Sequence, residues 1–123
     1  FSRIMKYIFK VLTPEEWEKA ALGGYVYTSL DEIDGFIHLS SSRQLALTLY
    51  SYFKKYDKLV LAQIRLESVK DKIVFEESDS EDRGGKFPHL YGKLSIKDIC
   101  KTWDLERNAF ELPLEILIES EKI

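Results

Sequence analysis

Met5-Lys6-Tyr7-Ile8-Phe9-Lys10-Val11-Leu12 runs straight into Thr13-Pro14-Glu15-Glu16, and this join sets the fold class. The first eight residues alternate, with Tyr7, Phe9 and Val11 on one side and Ile8, Lys10 and Leu12 on the other. That period of two predicts a strand buried on both faces except at Lys10. Thr13 is a natural N-cap, Pro14 suits the first helical position, and Glu16 stands where it can close a capping box. Trp17, Ala20 and Ala21 are expected to face the core. Gly23-Gly24 should end the helix, where positive φ is needed.

Working outward, Tyr25 to Asp34 reads as a loop or short strand, with turn residues at Asp31 and Asp34-Gly35. In Gly35-Phe36-Ile37-His38-Leu39-Ser40, an extended run puts Phe36, His38 and Ser40 on one face, Ile37 and Leu39 on the other. Ser41 or Ser42 then caps a second helix, with Gln44 closing a box from Ser41. Its buried stripe should be Leu45, Leu49 and Phe53. Leu59 to Leu66 is the clearest strand: Val60, Ala62, Ile64 and Leu66 share a face, and Gln63 and Arg65 point away. A charged turn over Glu67 to Lys72 leads to a short strand at Ile73-Val74-Phe75. Glu76 to Lys86 is acidic and predicts a surface loop. Ile96 to Trp103 reads as a strand, Leu105 to Phe110 as a charged connection, and Leu114, Ile116 and Ile118 as a last strand. About six strands and two helices without βαβ alternation predict an α+β fold.

The chain has 123 residues, enough for one domain with its own core, and its 45% hydrophobic content is that of a globular protein. A net charge of −3 argues against general binding to a phosphate backbone. The single cysteine, Cys100, can form no internal disulfide and reads as a buried apolar residue on a core strand. No apolar run approaches the roughly 18–20 residues of a membrane span, so a cytoplasmic location is expected. The natural start either precedes Phe1 or is Met5.

Two stretches carry the chain's only two histidines. His38 and Ser40 share a face just before a serine-capped helix start. That start, with Ser41 and Ser42, offers backbone N–H groups to an anion. The plainer reading is that the serines only cap the helix and His38 is a satisfied interior group. In Phe87-Pro88-His89-Leu90-Tyr91-Gly92, an extended backbone puts Phe87, His89 and Tyr91 on one face. Such a set suits a flat ring, a ribose, or acid–base work near neutral pH, and the plainer reading is an aromatic turn. The expectation is that both stretches wall one pocket. Its candidate catalytic groups are His38, His89 and Tyr91, with Glu76 as a weaker carboxylate. Lys10, Phe36, Ser40, Ser41 and Phe87 are the candidate ligand-binding residues. The spacing of His38, His89 and Glu76 supports no metal site.

The order Tyr-Ile-Phe-Lys-Val-Leu, Glu-Glu-Trp, Gly-Phe-Ile-His-Leu-Ser, Leu-Val-Leu and Phe-Pro-His-Leu-Tyr-Gly resembles the domain of unknown function 952 family over about Lys6 to Trp103. A single domain over 1–123 follows, with a family-like core at 6–103 and a C-terminal strand extension at 104–123. The resemblance implies an α+β fold of the ADP-ribosyltransferase-like superfamily, two small packed sheets with flanking helices. In that superfamily the cleft between the sheets holds NAD. The usual signature is a His or Arg on an early strand, a Ser, Thr or Tyr on a middle one and a Glu on a late one. Many members carry His where Lys10 stands here, and Lys accepts no hydrogen bond. Two readings are therefore carried forward. One is a small-molecule pocket of NAD or nucleotide type, with chemistry related to ADP-ribosyl transfer. The other is a non-catalytic ligand-binding or protein-interaction module on the same fold.

Overall fold

The structure, a computed structural model, describes residues 5–53, 55–77, 85–106, 115, 116 and 118. Its centre is a four-stranded antiparallel sheet. Strand β1 (Tyr7–Leu12) lies between β4 (Ser40–Ser41) and β5 (Lys58–Arg65), and β5 pairs with β9 (Ile99–Glu106). Alternation along the strands feeds two cores, one on each face of this sheet. Ile8, Leu12, Val60 and Ile64 enter one core, and Phe9, Val11, Leu59 and Leu61 enter the other.

The first face is covered by a second, three-stranded sheet of β3 (Ile37–His38), β7 (Lys86–Leu90) and β6 (Ile73–Glu77), by α1 (Pro14–Gly23), and by a short ribbon. That ribbon pairs β2 (Tyr25–Val26) with β8 (Leu94–Ser95). The second face is covered by α3 (Leu45–Phe53) and by Ile116. The α+β class is as expected. The layering is richer, with three sheets among the described residues where two were expected.

The helix α1 forms as its sequence dictates. Thr13 Oγ1 accepts from the Glu16 N–H at 3.1 Å, and Glu16 Oε1 accepts from the Thr13 N–H at 2.9 Å. Gly24 takes φ 87° and donates its N–H to the Ala20 carbonyl. The buried stripe is narrower than expected: Ala20 is buried and Trp17 partly so, while Ala21, one step round the helix, faces solvent.

Several expectations are corrected. Tyr25 to Asp34, expected as a loop or short strand, does begin with the short strand β2, but its second half is a capped helix, α2 (Ser29–Asp34), ending at Gly35 with φ 82°. The run from Ile37 to Ser41 is two strands in different sheets. Leu39 is the crossover, and its N–H donates to the Pro88 carbonyl. The turn after β5 is a short helix, α4 (Leu66–Val69), followed by a 3₁₀ turn at Lys70–Lys72, because Leu66 and Val69 have core to bury against.

Glu76 and Glu77 lie in β6 and Lys86 in β7, and the serines Ser78 and Ser80 of the acidic segment fall outside the described residues. A 3₁₀ turn at Ile96–Asp98 interrupts the expected strand there. Asp104 to Glu106 complete β9, while Glu115, Ile116 and Ile118 are helical, so among the described residues those two isoleucines do not form the expected strand; Leu114 falls outside the described residues. Cys100 is exposed on the sheet-edge strand β9, with its thiol 3.3 Å from Gln63 Oε1.

Candidate functional site

The two histidine stretches meet. His38 on β3 and His89 on β7 are direct cross-strand partners, with ring centroids 5.7 Å apart. Phe36, just before β3, stacks on His89 at 4.1 Å and lies 4.6 Å from the His38 ring. This aromatic contact fixes both imidazoles sideways.

A cavity of about 460 Å³ opens beside them. Its origin is topological. β4 pairs with β1 only at Ile8 and Phe9, so on that side β1 has no neighbouring strand at Lys10 and Val11 among the described residues. The wall there is completed by the start of α2, by His38 and Ser40, by Phe87 and His89, and by Thr48 and Phe53 of α3. Lys10, His38, Ser40, Phe87 and His89 thus line the cavity. Phe36, Ser41, Tyr91 and Glu76 are not among its lining residues: Phe36 is stacked against the imidazoles, Tyr91 is exposed at the strand end, and Glu76 reaches the site through His89.

Lys10 departs most from expectation. It was to be the exposed break in a buried strand, yet it is 4% exposed. Its ammonium donates to Asp31 Oδ1 at 3.0 Å and to the His38 carbonyl at 2.9 Å, and forms an ion pair with Asp31 Oδ2 at 2.9 Å. A buried charge survives only when paired in this way. Burial pulls the Lys10 ammonium below the usual lysine range, and Asp31 opposes that shift.

Asp31 is the residue that sequence reasoning missed. At 0% exposure its carboxylate also accepts from the backbone N–H of Thr28 at 3.0 Å, the backbone N–H of His38 at 3.0 Å, and His38 Nδ1 at 2.7 Å. Burial alone would raise its pKa. Hydrogen bonding from His38 and the charge of Lys10 outweigh that, and hold the carboxyl well below the ordinary carboxylate range. The available signal was Thr28-x-x-Asp31, a capping-box spacing that the structure realises in full.

The two histidines differ in their surroundings. His38 has carboxylates at both ring nitrogens, Asp31 at Nδ1 and Asp34 at Nε2, 2.8 Å away. His89 has one, since its Nδ1 lies 2.8 Å from Glu76 Oε1, which also accepts from the Tyr91 hydroxyl at 2.7 Å. Hydrogen bonds from Tyr91 and His89 lower the pKa of Glu76, and the bond to Glu76 raises that of Tyr91. Ser40 Oγ shares a hydrogen bond with Thr48 Oγ1 at 2.9 Å.

The expected anion site at the serine-capped helix start is not part of this wall. Neither Ser41 nor Ser42 lines the cavity; the Ser41 N–H donates to Gln44 Oε1, and a 3₁₀ turn precedes α3. Among the described residues no group of three or more His, Cys, Asp or Glu side chains could hold a metal ion.

The family model described as "Protein of unknown function (DUF952)" matches residues 11–102. The chain belongs to the DUF952 family. The match runs from β1 to β9 and takes in Asp31, His38, Glu76, His89 and Tyr91, with Lys10 one position before it. The DUF952 chain is also similar to the crystal structure of protein CC0527 from Caulobacter crescentus. Identity is 30% and the TM-score 0.77, over 93% of this chain and 98% of that one. A double-methionine variant of CC0527 gives the same values. The solution NMR structure of CC0527 aligns at 33% identity and a TM-score of 0.70, covering 81% and 84%. No curated protein matches the chain. Among the described residues of this DUF952 chain, no helix is long and apolar enough to cross a membrane.

Proposed function

We propose that the cavity of this DUF952 chain takes a small nucleotide-like ligand, with NAD and ADP-ribose as the first candidates. The observation that carries this reading is the facing pair His38 and His89 at the wall of one cavity. A volume of about 460 Å³ falls within the roughly 300–1,000 Å³ of ligand pockets. Phe9, Phe53 and Phe87 offer apolar surface to a flat ring, while Ser40, Thr48 and the imidazoles offer hydrogen bonds to a ribose. The sequence resemblance to the domain of unknown function 952 family implies the ADP-ribosyltransferase-like superfamily, whose cleft between packed sheets holds NAD, and that implication favours the same ligand class and a chemistry related to ADP-ribosyl transfer.

A second reading, a binding module without chemistry, is favoured by one observation. Where the resemblance implies a His, this chain has Lys10, and its ammonium is engaged by Asp31 and the His38 carbonyl.

Thermal-shift measurements with NAD, ADP-ribose and AMP test the ligand class. A true ligand at 100-fold its dissociation constant stabilises by roughly 2.7 kcal/mol. The absence of a shift with all three, at well above ~1 mM, overturns the nucleotide reading. Turnover of NAD, compared among wild type, His38→Ala and His89→Ala, then separates the alternatives. Turnover that both substitutions abolish supports an enzyme, whereas a shift without turnover supports the module.

A further inference from the structure

We infer that the two histidines divide their roles: His89 is the proton acceptor of the site, Glu76 is its positioning residue, and His38 is a fixed donor. This deepens the proposed function and rests on it only in requiring that the cavity admit a small molecule.

The argument is one of hydrogen-bond supply. A carboxylate only accepts, so the contact between Glu76 Oε1 and His89 Nδ1 places the hydrogen on Nδ1. In the neutral ring the lone pair is then on Nε2. That nitrogen has no hydrogen-bond partner among the described residues, although His89 is only 7% exposed and lines the cavity. The Tyr91 hydroxyl, on the same oxygen of Glu76, and Phe36, stacked on the imidazole, hold the arrangement in place. This is the base-and-orienter logic by which a third group sets the tautomer of a catalytic histidine.

His38 is built the other way. Both of its ring nitrogens face carboxylate oxygens, so both contacts are met together only when both nitrogens carry hydrogen. In that arrangement both nitrogens donate to carboxylates and neither faces the cavity's ligand as an acceptor.

The substrate class that fits presents an O–H, a ribose-type hydroxyl or a bound water, to His89 Nε2 beside an electrophilic centre. The O–H bond breaks, Nε2 gains the proton, and the oxygen keeps the electron pair as the nucleophile. The imidazolium so formed still donates Nδ1–H to Glu76.

Diethyl pyrocarbonate tests this on the folded chain without any nucleotide. An unprotonated imidazole nitrogen attacks one carbonyl carbon of the reagent; an N–C bond forms and the anhydride C–O bond breaks. The departing ethyl carbonate takes up the Nδ1 proton and decomposes to carbon dioxide and ethanol. With two histidines in the chain, peptide mass spectrometry resolves the sites. The expected result is a first adduct on His89, reversed by hydroxylamine. Its formation should slow roughly tenfold or more in Glu76→Leu, which leaves Nδ1–H without an acceptor and the ring free to carry its hydrogen on Nε2, whereas Glu76→Gln, whose Oε1 still accepts from Nδ1, should keep much of the rate.

Long-range nitrogen–proton NMR of the rings gives a second readout that a merely structural role of Glu76 would leave unmoved. The Nδ1–H form of His89 should dominate in the wild type and lose that dominance in Glu76→Leu. First modification at His38, an unreactive His89, or equal rates and tautomers in wild type and Glu76→Leu would each overturn the assignment. A chain that binds no nucleotide but reacts first at His89 loses only the ligand reading. One that binds nucleotide but reacts first at His38 loses only this one.

Discussion

At the scale of single residues, the Lys10–Asp31 pair decides most. Its two members are 21 positions apart, so neither the alternation of β1 nor the turn-like composition around Asp31 hints at the contact. Alternation shows that Lys10 points to the same face as Ile8 and Leu12, but not that a carboxylate meets it there. Removing one member leaves the other buried and unpaired, so Asp31→Asn should cost about 3–5 kcal/mol in urea denaturation at neutral pH. Burial would have raised the Asp31 pKa, but His38 and Lys10 depress it, so its ionisation stabilises the fold. That contribution is complete above its unfolded value, about 4, and is lost as pH falls below it. The gap between wild type and Asp31→Asn should therefore narrow, by about 1.4 kcal/mol per pH unit, below that point. A gap that stays constant down to pH 3 would mean that the carboxylate is not held charged by its partners.

At the scale of elements, the capped helices show what local sequence can and cannot reveal. Thr13-Pro14-Glu15-Glu16 is legible because the box, the proline and the apolar positions of α1 agree, and Thr13→Ala should cost about 1 kcal/mol. Thr28 and Asp31 form the same box, but α2 has only six residues and its Leu30 and Ile33 are exposed, so no apolar stripe announces it. The same limit hides the corner at Leu39, because alternation continues through it while the backbone passes from one sheet to the other. Gly35 closes α2 with φ 82°, and a Cβ there would meet nothing within 4 Å. Gly35→Ala therefore has a conformational cost without a clash, about 1 kcal/mol. In thermal melts a loss several times larger would show that the end of α2 is constrained by more than its backbone angle.

At the scale of the whole molecule, the meeting of the two histidine stretches was legible, because both are extended and carry aromatic neighbours. The cavity itself was not, since it exists only because β4 stops short along β1, a matter of tertiary register. This architecture separates a rigid centre from the elements that shape the site. β5 lies between two strands and carries fully buried side chains on both faces, so its amides should exchange slowest with solvent. The short α2 and the edge strand β6, with Val74 and Phe75 partly exposed, should open at lower free energy. A ligand in the cavity contacts the start of α2, His38, Ser40, Phe87 and His89, but no residue of β9. Saturating ADP-ribose should therefore slow exchange most at Thr28 to Leu30 and across the β3–β7 pair, with Ile99 to Leu105 slowed no more than stabilisation of the whole fold requires. Protection spread evenly over β9 would indicate general stabilisation of the fold. Protection confined to surfaces away from His38 and His89 would place the ligand elsewhere on the molecule.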